Sequence, residues 1–260
     1  MKIATWNINS IRLREQLVTR LLAEEQPDIL CLQECKSPVE LIPQDQFRAL
    51  GYRYMVARGQ KGYNGVAILS KYPLEDITRG LPGDPEDEQA RWIEATVVGD
   101  KAVRLCGLYL PNGNPAPGPK YDYKLAWMER LRARAEALLA DEMPALMAGD
   151  YNVIPQREDA KHPEAWTEDA LFRPESRAAF QRIVNLGFTE AFRARVRGAG
   201  HYSFWDYQAN SWERNNGIRI DHFLLTPQCA DLMNDCWIEA DERARSKPSD
   251  HVPVWLDLAA

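Results

Sequence analysis

The chain has 260 residues, with 32 Lys plus Arg against 38 Asp plus Glu and a formal charge of −6, which argues against a protein that binds nucleic acid by bulk charge. Hydrophobic residues at 45% and charged residues at 27% exclude disorder and collagen-like structure, and no apolar run approaches the roughly 20 residues of a membrane helix. A chain of this size has a large core, and one domain over residues 1–260 is expected.

Residues Lys2 to Ile8 form an apolar-rich run that predicts a strand, entered at once with no basic segment and apolar signal core before it, so a cytoplasmic protein is expected. Its end presents Asn7 and Asn9. Ser10 is then positioned to cap a helix with Ile11, Leu13, Leu17, Val18, Leu21 and Leu22 on one stripe, ending near Gln26-Pro27. Asp28 to Gln33 predicts a second buried strand that runs into Glu34. The five cysteines, Cys31, Cys35, Cys106, Cys229 and Cys236, are odd in number and mostly lie in strand-like runs, which predicts small buried residues and no disulfide framework.

Tyr52 to Ala57 and Gly65 to Ser70 read as strands flanking the glycine-punctuated loop Gly59–Gly65, which carries Lys61 and Tyr63. Gly83 to Glu88 is an acidic surface loop. Arg91 to Val98 and Ala102 to Leu110 are strands, the second ending at Tyr109, and the stretch Pro111 to Lys120, which includes Asn112, is too rich in Pro and Gly to be regular. A helix from about Tyr121 to Asp141 leads into a strand, Ala145 to Ala148, which stops at Gly149 and delivers Asp150 and Asn152 on a turn. Alone, Asp-x-Asn after a strand is ordinary turn chemistry.

Residues 156–175 are polar and irregular, and Pro174 opens a helix through Leu186. The aromatic cluster His201 to Tyr207 precedes a polar loop to Gly217. Ile218 to Leu225 predicts a strand with Asp221 in its interior, an unusual place for a carboxylate without a partner. A strand near Cys236 to Ala240 follows, and Asp250-His251 stands immediately before the last strand. Two packed sheets with helices outside would account for both halves of the chain.

Glu34, Asp150, Asp221 and Asp250 are thus four carboxylates at or near strand ends, joined by Asn7, Asn152 and the imidazole of His251. Oxygen-dominated ligands without cysteine suit a hard divalent cation, Mg²⁺ with Mn²⁺ as a substitute, completed by water and substrate phosphate. Such a site points to phosphate-ester hydrolysis. In that chemistry Glu34 is the best direct metal ligand, His251 oriented by Asp221 polarises the phosphoryl group or takes a proton, Asp150 positions or deprotonates water, and Asn7, Tyr109 and Asn152 donate hydrogen bonds.

The motifs Thr5-Trp6-Asn7-Ile8-Asn9, Leu32-Gln33-Glu34, Gly62–Ala67, Gly149-Asp150-Tyr151-Asn152, Phe204-Trp205-Asp206-Tyr207, Ile218-Arg219-Ile220-Asp221 and Pro248–Val254 resemble, in order, those of the exonuclease III family of abasic-site endonucleases. The resemblance implies a four-layer α/β sandwich of two packed mixed β-sheets flanked by helices. It implies Mg²⁺-dependent cleavage of double-stranded DNA on the 5′ side of abasic sites, with 3′ to 5′ exonuclease and 3′ phosphatase or phosphodiesterase action on blocked ends, by a monomer that needs no membrane. Carried over residue by residue, it assigns catalysis to Tyr109, Asp150, Asn152, Asp221 and His251, and metal binding to Asn7, Glu34, Asp150, Asn152, Asp250 and His251. Phe204, Trp205 and Ile218 align with the pocket for the extruded abasic sugar, and Asn112 is counted with the substrate contacts. Where animal members carry an acidic residue, this chain has Asn9, as bacterial members do.

An acidic chain that binds DNA needs a local patch. Arg12, Lys61, Tyr63, Arg91, Lys120, Tyr121 and Arg214 are expected to form a phosphate-binding rim around the site.

Overall fold

A computed structural model describes residues 1–260. In chain order its elements begin with β1 (Lys2–Asn7), α1 (Ile11–Glu24), β2 (Ile29–Gln33), α2 (Gln44–Ala49), β3 (Tyr54–Arg58), β4 (Val66–Ser70), β5 (Leu74–Arg79) and β6 (Trp92–Val98). The middle of the chain supplies β7 (Ala102–Tyr109), α3 (Pro119–Ala140), β8 (Ala145–Asp150), α4 (Pro174–Val184), the short β9 (Thr189–Glu190) and α5 (Ala191–Arg195). It closes with β10 (Asp221–Leu225), α6 (Pro227–Ala230), β11 (Met233–Ile238) and β12 (Val254–Leu258).

The strands make two six-stranded sheets, ordered β11-β12-β1-β2-β4-β3 and β5-β6-β7-β8-β10-β9. Each has one parallel pair at its centre, β1 with β2 and β7 with β8, and antiparallel neighbours elsewhere. A core of 22 buried residues, among them Ile3, Ile68, Leu105, Leu146, Phe223 and Leu256, fills the space between the sheets. Two further cores lie outside, one joining the first sheet to α1 and α2, the other joining the second sheet to α3 and α4. The order is therefore helix, sheet, sheet, helix, as expected. Central strands such as β2 and β4 are buried at every position because both faces are covered, which is why they read as unbroken apolar runs.

Local departures have identifiable causes. Edge strand β5 escapes sequence detection because it is largely exposed and carries Glu75, Asp76, Thr78 and Arg79 among its six residues. Ser10 does occupy the N-cap position of α1, but its side chain makes no capping bond. Instead the backbone N–H groups of Ser10 and Ile11 donate to the carbonyls of Glu34 (2.8 Å) and Cys35 (3.1 Å), so the helix start is tied to the chain leaving β2. The strand expected over 218–225 begins at Asp221, with Ile218 making only isolated bridges to Ala160 and Phe204. Asp221 is thus a strand-end residue like the other carboxylates. All five cysteines are free and buried. No helix is long and apolar enough to cross a membrane.

Gly149 is required by contact. At φ +154°, a Cβ there would stand 1.9 Å from the carbonyl oxygen of Leu108 on the neighbouring strand. Gly149→Ala is expected to destabilise the protein by about 3 kcal/mol and to lower Tm by roughly 6–12 °C, by forcing β7 and β8 apart. Thermal unfolding followed by circular dichroism checks this; an unchanged Tm contradicts it.

Candidate active site

The two parallel pairs end at the same rim. Asn7 terminates β1, Glu34 follows β2, Tyr109 terminates β7 and Asp150 terminates β8. Register completes the set: Tyr109 pairs with Asp150 across β7 and β8, and Asp150 pairs with Asp221 across β8 and β10. The Asn7 amide joins the sheets, because its Nδ2 donates at 2.9 Å both to Glu34 Oε1 from the first sheet and to Asp150 Oδ2 from the second.

His251 arrives from the other side. Its backbone carbonyl accepts from Trp6 Nε1 (3.0 Å), its ring is met edge-on by Phe204 with centroids 4.9 Å apart, and its Nδ1 lies 2.8 Å from Asp221 Oδ2. Since Asp221 Oδ2 also accepts from the buried hydroxyl of Ser203 (2.6 Å), the carboxylate is held in place and in turn holds the imidazole. That leaves Nε2, 3.6 Å from Asp150 Oδ2, facing the cleft. Ser203 was not singled out by sequence reasoning, and its place in an aromatic cluster offered no signal.

Burial raises Asp150 above the ordinary carboxylate range; the His251 charge opposes this and the Asp221 charge adds to it. Burial works against a charged His251, but Asp221 and Asp150 outweigh it and hold the ring above its ordinary value. The burial of Glu34 is outweighed by Lys36, whose ammonium lies 2.7 Å from it, and by the Asn7 amide, so its carboxyl is lowered. Burial, with the charges of Glu34 and Asp150, pushes the phenol of Tyr109 far up, so it remains a proton-bearing donor.

Donor atoms of Glu34, Asp150 and His251 all lie within 4.8 Å of one another. Two carboxylates and an imidazole at this spacing, with amides beside them, fit a hard divalent ion with open positions for water or substrate. Asp250 lines the same cleft, its Oδ1 accepting from Asn9 Nδ2 at 3.0 Å.

The cleft has a volume of about 370 Å³ and one apolar wall, made by Phe204, Ile220, Leu171 and Trp166. Tyr109, Asn112 and Asn152 face that wall together with the acidic residues. Two residues expected in the wall do not line the cleft: Trp205 is packed with Tyr202 and Trp212, and Ile218 is packed in the cluster that also holds Leu171 and Ile220. The Trp205 indole N–H donates to Asn215 Oδ1 (3.1 Å), and the guanidinium of Arg219, between Ile218 and Ile220, donates to Asp159 (2.7 Å) and Glu190 (2.9 Å), while Ile220 reaches the cleft. Trp166 and Leu171 come from the irregular stretch 156–175, where no periodicity marked them.

Of the expected rim, Arg12, Lys61, Tyr63, Lys120 and Arg214 are exposed but do not line the cleft. Arg91 is partly buried, its guanidinium 4.8 Å from the centroid of the Tyr109 ring and its Nη1 donating to the Tyr109 carbonyl. Tyr121 is buried, and its hydroxyl accepts from Ser176 (3.1 Å), so it belongs to the packing of α3 on α4.

A two-sheet α/β body with carboxylates, amides and one oriented histidine gathered at a single rim defines the class to which this chain belongs: the endonuclease/exonuclease/phosphatase family, whose model matches residues 4–251. More particularly, it is 34% identical to exodeoxyribonuclease III of Haemophilus influenzae, over 99% of this chain and 100% of that one. Its structure is similar to an AP endonuclease from Archaeoglobus fulgidus, with a TM-score of 0.92, 37% identity and full coverage of both chains. It is also similar to a 3′ phosphatase of Neisseria bound to a product DNA hairpin, with a TM-score of 0.95, 37% identity and full coverage of both.

Proposed function

We propose that this protein is a Mg²⁺-dependent DNA repair nuclease that hydrolyses the phosphodiester 5′ to abasic sites in duplex DNA and also trims 3′-blocked ends. It acts as a monomer of one domain. The observation that carries the reading is the His251–Asp221 pair set beside buried Asp150 and metal-competent Glu34 in a cleft with an apolar wall. Relatives named for exonuclease, AP endonuclease and 3′ phosphatase activity support it.

A bound Mg²⁺, held by Glu34 and Asp150 with Asn7, Asn152 and Asp250 around it, would neutralise charge on the phosphate and the leaving oxygen, with the protonated His251 beside it and not bound to it. Asp150, raised in pKa, accepts the proton of the attacking water as the new P–O bond forms and the bond to the 3′ oxygen breaks, and the departing 3′ oxygen takes a proton from solvent. His251 stays protonated beside Asp221 and donates from Nε2 to a phosphoryl oxygen. Tyr109, Asn112 and Asn152 donate to the remaining oxygens as charge builds on them. The wall of Phe204, Ile220, Leu171 and Trp166 receives a sugar that lacks its base.

Assaying the purified protein with Mg²⁺ on a duplex carrying one abasic site, on an intact duplex and on an inositol phosphate tests the class. Incision of the first and no action on the last is the expected result; action on the inositol phosphate alone would overturn the reading. The exposed cations Arg12, Lys61, Lys120 and Arg214 should engage the DNA backbone. A plot of log affinity against log salt is then expected to have a slope of about −3 to −4. A flat plot rejects the rim.

A further inference from the structure

One buried cation has no part in this chemistry as described. Lys124 lies on α3 and is 0% exposed, on a stripe whose other members are Tyr121, Trp127, Met128, Leu131, Ala135 and Leu138. A side chain wanted only for packing would be apolar here, and none of the structure's ion pairs involves Lys124. Its Nζ instead donates to two backbone carbonyls, those of Asn152 (2.5 Å) and Asn112 (3.1 Å). Those residues leave the ends of β8 and β7, the adjacent parallel strands, and both face the cleft.

The rest of the local geometry depends on the same pair. Asn152 sits at φ +46°, a conformation that needs outside support in a non-glycine residue. Its Nδ2 donates to the Leu110 carbonyl (2.8 Å), its backbone N–H donates to Asp150 Oδ1 (2.8 Å), and Asn112 Nδ2 lies 3.3 Å from its Oδ1. The stem of Lys124 passes so close to Gly113 that a Cβ there would stand 2.6 Å from Lys124 Cδ. The loop has been fitted around this side chain.

We propose that Lys124 is a positioning residue: by tying the Asn112 and Asn152 carbonyls to one buried ammonium, it fixes the relative placement of the two strand-end turns whose carboxamides donate to the phosphate. Resting as it does on the phosphodiesterase reading, it acts through Asn112 and Asn152 and touches no substrate.

Lys124→Met keeps the stem against Gly113 and removes the donors; Lys124→Gln keeps two N–H donors without the charge. On abasic-site duplex with saturating Mg²⁺, the Met variant is expected to lose about 10- to 100-fold in kcat, the range typical of residues that orient functional groups, with KM within about twofold. The Gln variant should recover most of that loss. In ¹H–¹⁵N spectra the side-chain amide resonances of Asn112 and Asn152, assigned by Asn112→Asp and Asn152→Asp, should move in the Met variant while amides of β11 do not. Wild-type kcat in a folded Met variant, or unmoved carboxamide resonances, overturns the proposal. Should the Met variant not fold, Lys124→Ala, which also removes the donors, is read in the same spectra: displaced Asn112 and Asn152 resonances support a placing role, unmoved ones reject it. A wild-type protein inert on every nucleic acid would sink the nuclease reading alone, since the spectra judge Lys124 without turnover.

Discussion

His251→Asn is expected to lower kcat for incision of abasic-site DNA by about 10³-fold or more, with little change in KM. The ring is locked by Asp221 on one side and by Phe204 on the other, so its Nε2 is aimed at the cleft before substrate arrives. An asparagine can replace the bond to Asp221 but supplies no cation at the phosphoryl oxygen. Removing one preorganised donor to a developing oxyanion typically costs about 10² to 10³, and the loss of its positive charge adds to that. Asp221→Asn should follow the same direction more weakly, because it removes only the charge that keeps His251 protonated and oriented. Single-turnover kinetics measures both; a His251→Asn enzyme within tenfold of wild type would remove the imidazole from the mechanism.

Glu34→Ala should be at least as damaging, because it withdraws a carboxylate that no neighbour can replace. Expected are a fall in kcat/KM of about 10³-fold at fixed Mg²⁺ and a rise in the Mg²⁺ concentration needed for half activity. Binding can be read without catalysis. Mg²⁺ in excess should raise the Tm of the wild type by mass action and leave that of Glu34→Ala almost unmoved. Asp150 adds a pH dependence with a definite sign. Its carboxyl is raised by burial, so lowering the pH protonates it where an ordinary carboxylate would still be ionised. Because only the ionised form is a ligand, half-saturating Mg²⁺ should rise steadily as the pH falls below neutrality. Equal Tm shifts in wild type and variant would show that residue 34 does not hold the ion.

The polar cluster was legible in the sequence because Glu34, Asp150 and His251 each interrupt or adjoin an apolar run, and polar residues at buried strand ends need partners. What no spacing reveals is which ends meet. The resemblance supplied the sandwich, and the register of β7, β8 and β10 then places Tyr109, Asp150 and Asp221 side by side. Lys124 was hidden because α3 is studded with Lys, Arg and Glu, and a charged side chain that turns inward looks like its solvated neighbours. The wall was harder to read for a different reason. Phe204 lines the cleft as expected, but apolar character alone does not say which members of a packed cluster reach the cleft: Ile218 and Ile220 share one cluster, and of the two Ile220 lines it.

The chain also returns to its own beginning. Strand β12 pairs with β1, and the turn that delivers Asp250 and His251 is pinned there by Ser249, whose hydroxyl donates to the Asn7 carbonyl at 2.7 Å. Closure of the first sheet and placement of the imidazole therefore rest on the same pairing, so a change that loosens the last strand reaches the site through His251.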